Sequence, residues 1–84
     1  MLMVDRASYE GVTAIVGLKI VPGMEDAVCQ ESGSLAGISH TFKAFGSFDV
    51  IVFLTLDHSD VPALLKQLKK VEGVLDVHPL KFVP

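Results

Sequence analysis

The sequence predicts a single α+β domain of the ferredoxin-like kind, a four-stranded antiparallel sheet with two helices on one face. Three observations predict it. Strand-like and helix-like runs follow one another in the order β, α, β, β, α, β; each half supplies one crossover helix; and the two halves are of similar length. At 84 residues the chain builds one hydrophobic core, and no shift in composition marks a second domain or a long linker. The expected division is an N-terminal tail over residues 1–11 and one domain over residues 12–84.

Residues 1–11 include Asp5, Arg6, Ser8 and Glu10 and show no clear period, which is the behaviour of a tail. From Val12 to Val21 a β-rich run sets Val12, Ala14, Val16, Leu18 and Ile20 on one face and Thr13, Ile15, Gly17, Lys19 and Val21 on the other. Pro22-Gly23 ends it. Met24, Ala27, Val28 and Leu35 then recur at helical spacing, with Glu25, Asp26, Gln30 and Glu31 on the polar side and acids near the N-terminus, where the helix dipole favours them.

Ser32-Gly33 closes that helix and Gly37 opens a second strand, Ile38 to Phe45. It alternates Ile38, His40, Phe42 and Ala44 against Ser39, Thr41, Lys43 and Phe45. A tight connection at Gly46-Ser47-Phe48 leads into the run from Asp49 to Leu56, apolar on both sides as a central strand should be. Asp57-His58-Ser59-Asp60 supplies cap chemistry, Pro62 fits a first helical turn, and Val61, Leu64, Leu65, Leu68 and Val71 repeat at helix spacing. Lys66, Lys69 and Lys70 suit its C-terminal half, Gly73 suits the cap, and a last strand runs from Val74 to Val83.

Hydrophobic residues are 50% of the chain, rich for so small a monomer. Two helices cover one face of the sheet, so Ile15, Val21, Ile51, Phe53 and one parity of the second strand are left on the other, an expected association face. The net charge of -3 with seven scattered basic residues gives no footprint for a phosphate backbone, so nucleic acid is not an expected direct partner. No apolar stretch reaches the roughly 18 residues of a membrane span. A lone Cys29 and an N-terminus without signal-peptide features point to the cytoplasm.

Chemistry-bearing motifs are absent. His40, His58, His78 and Cys29 show no ligand spacing, so no metal site and no cofactor are expected. No nucleophile elbow or phosphate-cradling glycine loop occurs, and the acid pairs Glu25-Asp26 and Asp57/Asp60 are accounted for as helix-start residues, so the chain reads as non-enzymatic. The segment Phe45-Gly46-Ser47-Phe48-Asp49 reads in two ways. It is an ordinary hairpin turn, or a place where Gly46 lets a ligand or another backbone approach closely.

Three motifs in order add a resemblance. Val21-Pro22-Gly23-Met24-Glu25-Asp26-Ala27-Val28 resembles the "V-x-P-G-x-E-x-x-V" segment of the ligand-binding domain of the leucine-responsive/asparagine (Lrp/AsnC) regulator family. Gly46-Ser47-Phe48-Asp49 before Val50-Ile51-Val52 is similar to that family's "G-x-Y-D" hairpin, with Phe48 for Tyr. Val71-Glu72-Gly73-Val74 is similar to its "x-P-G-V" step, with Glu72 for Pro.

The resemblance implies an amino-acid effector domain that dimerises through its sheets and assembles into octamers or decamers. It implies that Gly46 and Ser47 offer backbone amides to a ligand carboxylate, that Asp49 sits near the ligand amine or holds the loop, and that Phe48 packs beside it. His78-Pro79-Leu80 replaces a segment where the family often has threonine, so His78 is a candidate contact, and Pro79 suggests an edge position or bulge. Full-length members carry a helix-turn-helix that eleven tail residues cannot hold, which implies a stand-alone effector domain able to co-assemble with DNA-binding relatives. Two other readings stand beside this one. A small dimeric α+β barrel enzyme would need His40 or His78 in a pocket between sheet and helices, and a structural oligomer would bind no ligand.

Overall fold

A computed structural model describes residues 11–83. The expected tail over residues 1–11 falls, except for Gly11, outside them. The element order is β1 (Ala14–Ile20), α1 (Glu25–Gly33), β2 (Ile38–Lys43), β3 (Val50–Leu54), a 3-10 turn (His58–Asp60), α2 (Val61–Lys70) and β4 (Val74–Phe82). The strands form one antiparallel sheet in the order β2-β3-β1-β4, the ferredoxin-like arrangement.

Strand alternation builds the core. Ala14, Val16, Leu18 and Ile20 of β1 and Val50, Val52 and Leu54 of β3 are buried against Val28 of α1 and Val61, Leu64, Leu68 and Val71 of α2 and its end. Removing a side chain as enclosed as Leu68 would cost about 2–5 kcal/mol. The expectation of β3 as a central strand holds, and β4, which carries Pro79, is an edge strand. Opposite the helices lie Ile15, Ile51, Phe53, His40 and Phe42, half-buried or exposed, so one sheet face is open.

Several local expectations differ from the structure. Ile38 and His40 share a sequence parity but not a face. The β2–β3 register shifts between them, so Ser39 is an extra residue, Ile38 packs against the core, and the His40 ring meets Phe53 on the open face. Pairing on β4 slips twice: Lys81 and Pro79 pair with Ile15 and Val16, and Asp76 and Val74 with Lys19 and Ile20. Leu80 and Leu75 are thereby left unpaired and exposed. Val21 lies beyond the end of β1, its N–H donating to Gly73 O at 2.8 Å. Ala27 is exposed while Ser32 is buried, its hydroxyl donating to Val28 O at 2.6 Å. Neither Asp57 nor Asp60 makes a side-chain cap bond, because the 3-10 turn satisfies that segment through the backbone.

Candidate functional site

The β2–β3 hairpin is closed by Ala44 N–H donating to Asp49 O at 2.9 Å. Gly46 turns it at φ 138, a conformation side chains rarely adopt. Asp49 then anchors the hairpin to the neighbouring strand twice. Its N–H donates to Leu18 O at 2.9 Å, and its Oδ2 accepts from Ile20 N–H at 2.8 Å. Both bonds rest on residues buried in β1, so the hairpin base is fixed while Gly46 and Ser47 stand exposed at its tip.

Phe48 folds back over the open face of the sheet and lies on Gly17. Around it are the His78 ring, centroids 5.3 Å apart, and Lys19 Nζ, 6.0 Å from the ring centroid. Register explains the grouping, since Gly17 pairs with His78 and Lys19 with Asp76 across β1 and β4. His78 Nε2 is 2.7 Å from Asp76 Oδ2, and Lys69 Nζ is 3.7 Å from Asp76 Oδ1. The hydrogen bond with His78 holds the Asp76 carboxyl below its usual range, helped by the Val77 N–H.

On the other side of the hairpin a cavity of about 260 Å³ is lined by Glu25, Asp26, Lys43, Ala44, Phe45 and Asp49. Lys43 Nζ meets Asp26 Oδ1 there at 2.7 Å, which raises the lysine's pKa. Phe45 is wholly exposed at its rim.

The residues singled out in the sequence therefore separate into three groups. Gly46 and Ser47 form the tip, Phe48 and His78 share the open face, and Asp49 commits one carboxylate oxygen to the backbone of β1. Gly17, Lys19 and Asp76 were not anticipated as neighbours of that cluster. An isolated glycine within a strand pattern is a signal of close approach, and Asp76 and His78 stand two apart on one strand, so both were readable as a face. His40 and His78 both lie on the face away from the helices, grouped with Phe42 and Phe53 or with Phe48. An enzyme built on a histidine between sheet and helices does not fit this geometry. Among the described residues no group of three or more His, Cys, Asp or Glu could hold a metal ion, and no helix is long and apolar enough to cross a membrane.

No family model and no curated protein matches the sequence. Solved structures do match in fold. A protein of Thermus thermophilus superposes with a TM-score of 0.76 at 19% identity over 87% of this chain and 98% of its own. A hypothetical protein from Pyrococcus horikoshii gives 0.76 at 17% identity, covering 87% of this chain and 92% of its own. An AsnC family transcriptional regulator from Agrobacterium tumefaciens gives 0.62 at 12% identity, covering 95% of this chain but 56% of that longer protein. In fold, the chain is similar to these two small proteins and to part of the AsnC family regulator.

Proposed function

We propose that this domain binds an amino acid or a similar small molecule and oligomerises, as the effector module of an Lrp/AsnC-type transcriptional regulatory system, and that it catalyses no reaction. One observation carries the reading: Asp49 and Phe48 pin the hairpin base to β1, so that Gly46 and Ser47 are held out at a rigid tip. A preformed glycine turn lets a ligand carboxylate approach backbone amides at little entropic cost. Phe48 supplies an apolar wall beside it and His78 a hydrogen-bonding group.

The open sheet face supports the assembly half of the reading. Phe42, Phe53, Ile15 and Ile51 form an apolar surface that a second sheet would cover, giving a dimer from which octamers or decamers are built. Its setting is the cytoplasm, alongside DNA-binding relatives whose assemblies it joins.

The test is a thermal-shift screen against the twenty amino acids at millimolar concentration. A ligand at about 100 times its Kd adds about 2.7 kcal/mol to the native state. A selective rise in Tm names the ligand class, and a flat screen favours a structural oligomer or a ligand other than an amino acid. A structural oligomer without ligand is the second reading, favoured by the Asp49 carboxylate's existing bond to Ile20 N–H.

A further inference from the structure

We propose that the helical face of this domain, opposite the open sheet face, docks a second copy of the same chain, the acidic α1 of each copy lying against the lysine-bearing α2 of the other. It needs no ligand and is independent of the effector reading.

The two helices are charged with opposite signs. The sequence of α1, EDAVCQESG, carries Glu25, Asp26 and Glu31 and no base, whereas α2, VPALLKQLKK, carries Lys66, Lys69 and Lys70 and no acid. Asp26, Glu31, Lys66 and Lys70 are all exposed. The helix dipole accounts for acids in the first turn of α1 and lysines in the last turn of α2, but not for Glu31 near the C-terminal end of α1 or Lys66 in the middle of α2. Those two charges extend each helix into a ridge of one sign.

Topology arranges the ridges for self-recognition. Both helices pack on the same side of the sheet, α1 over β2 and α2 over β4, and each returns the chain between parallel strands, so the helices run antiparallel. A two-fold axis lying between them and parallel to both turns a second copy face to face. Its α1 then stacks antiparallel on the first copy's α2, and the reverse. The acidic beginning of one α1 meets the C-terminal lysines of the other α2, twice per contact.

The surface of α1 can receive those lysines. An open groove of about 420 Å³ along its outer side is lined by Ala27, Gln30, Glu31 and Ser34, where small side chains let another helix come close and Glu31 is the charge. Asp26 already holds Lys43 at 2.7 Å and Lys69 donates to Leu75 O at 2.7 Å, so Glu31 facing Lys66 forms the centre of the contact, with Lys70 beside the acidic first turn of the partner helix. Exposed pairs are individually weak, and the contact is accordingly salt-sensitive.

Sedimentation velocity on the full chain tests this at about 0.05 M and about 0.5 M salt, a range over which the screening length falls severalfold. Expected is a larger particle at low salt, with association weakened roughly tenfold or more at high salt. Lys66→Glu/Lys70→Glu, acidic on both helices, and Asp26→Lys/Glu31→Lys, basic on both, each remain at the high-salt size when alone. An equimolar mixture of the two regains the larger particle, a result that misfolding of either cannot produce. Unchanged Tm and circular dichroism report that each variant is folded. A wild-type size indifferent to salt, variants that keep the low-salt size, or a mixture that fails to associate would each overturn the proposal and leave the two ridges to solvent or to a different protein.

Discussion

The Phe48 ring lies so close over Gly17 that a β-carbon on residue 17 would meet ring atoms at 2.7 Å. Real side chains do not reach that separation, and the nearest atom is at the root of the ring, where small torsional adjustments give little relief. Gly17→Ala is therefore expected to lift Phe48 from the sheet and to cost about 1–3 kcal/mol, the usual range for overpacking. Urea denaturation checks the size. If Gly17→Ala and Phe48→Ala add without coupling, the two residues do not depend on each other as described.

Asp49 gives a second prediction because its carboxylate serves a buried backbone donor. Asp49→Ala would leave Ile20 N–H without its partner at 2.8 Å and is expected to destabilise the domain by about 1–3 kcal/mol. Asp49→Asn keeps an acceptor oxygen and should cost less. The pair also separates two roles for the residue. An Asn variant that folds like wild type but loses an amino-acid-induced rise in Tm would assign the charge to ligand binding, and one that keeps the rise would assign Asp49 to holding the hairpin.

Much of this site was legible because turn chemistry is local. Gly46 has the positive φ that a hairpin glycine signals, and the apolar run from Asp49 to Leu56 marks a central strand, which β3 is, although Ile51 and Phe53 lie on the open face. The amphipathic spacing of Val61, Leu64 and Leu68 likewise marks α2, and all three are buried. What escaped was set by pairing between distant strands. Nothing local to Ile38-Ser39-His40 announces that Ser39 is an extra residue, yet that one shift sends His40 to the opposite face from Ile38. The slips that leave Leu75 and Leu80 unpaired on β4 are of the same kind. Ala27 read as a core position from spacing alone; the short α1 rotates so that Val28 and Ser32 face inward, and the burial of a serine is made tolerable by its bond to Val28 O.

The Asp76–His78 pair predicts a modest pH dependence. The folded Asp76 carboxyl titrates below its unfolded value of about 3.9. A depressed folded pKa means that the unfolded chain binds the proton first as pH falls. The contribution is thus fully present above about pH 4 and is lost as pH drops through the folded pKa. Asp76→Asn should flatten the fall of the urea midpoint below about pH 4 relative to wild type. The difference is expected to be small because the pair is solvent-exposed. Parallel acid limbs for the two proteins would mean that His78 does not stabilise the ionised carboxylate.

Phe53 tests the open face. It sits on central β3, half-buried, with the Phe42 ring 5.4 Å and the His40 ring 6.0 Å away in edge-on arrangements. A charge placed on a central strand threatens folding as well as association wherever that residue lies in a core. The structure separates the two effects, because the core of this sheet is on the other side, built by Val52 and Leu54. Phe53→Asp should lose about 0.5–1.5 kcal/mol for each ring contact and keep its fold, measured by circular dichroism and urea denaturation. Its effect on assembly should be far larger, because sheet-to-sheet contact would bury the new carboxylate without a partner. At about 0.5 M salt, where the helix-to-helix contact is screened, light scattering is expected to give a monomer mass for Phe53→Asp where wild type gives a dimer or more. A folded variant with the wild-type mass would mean that the sheets do not meet.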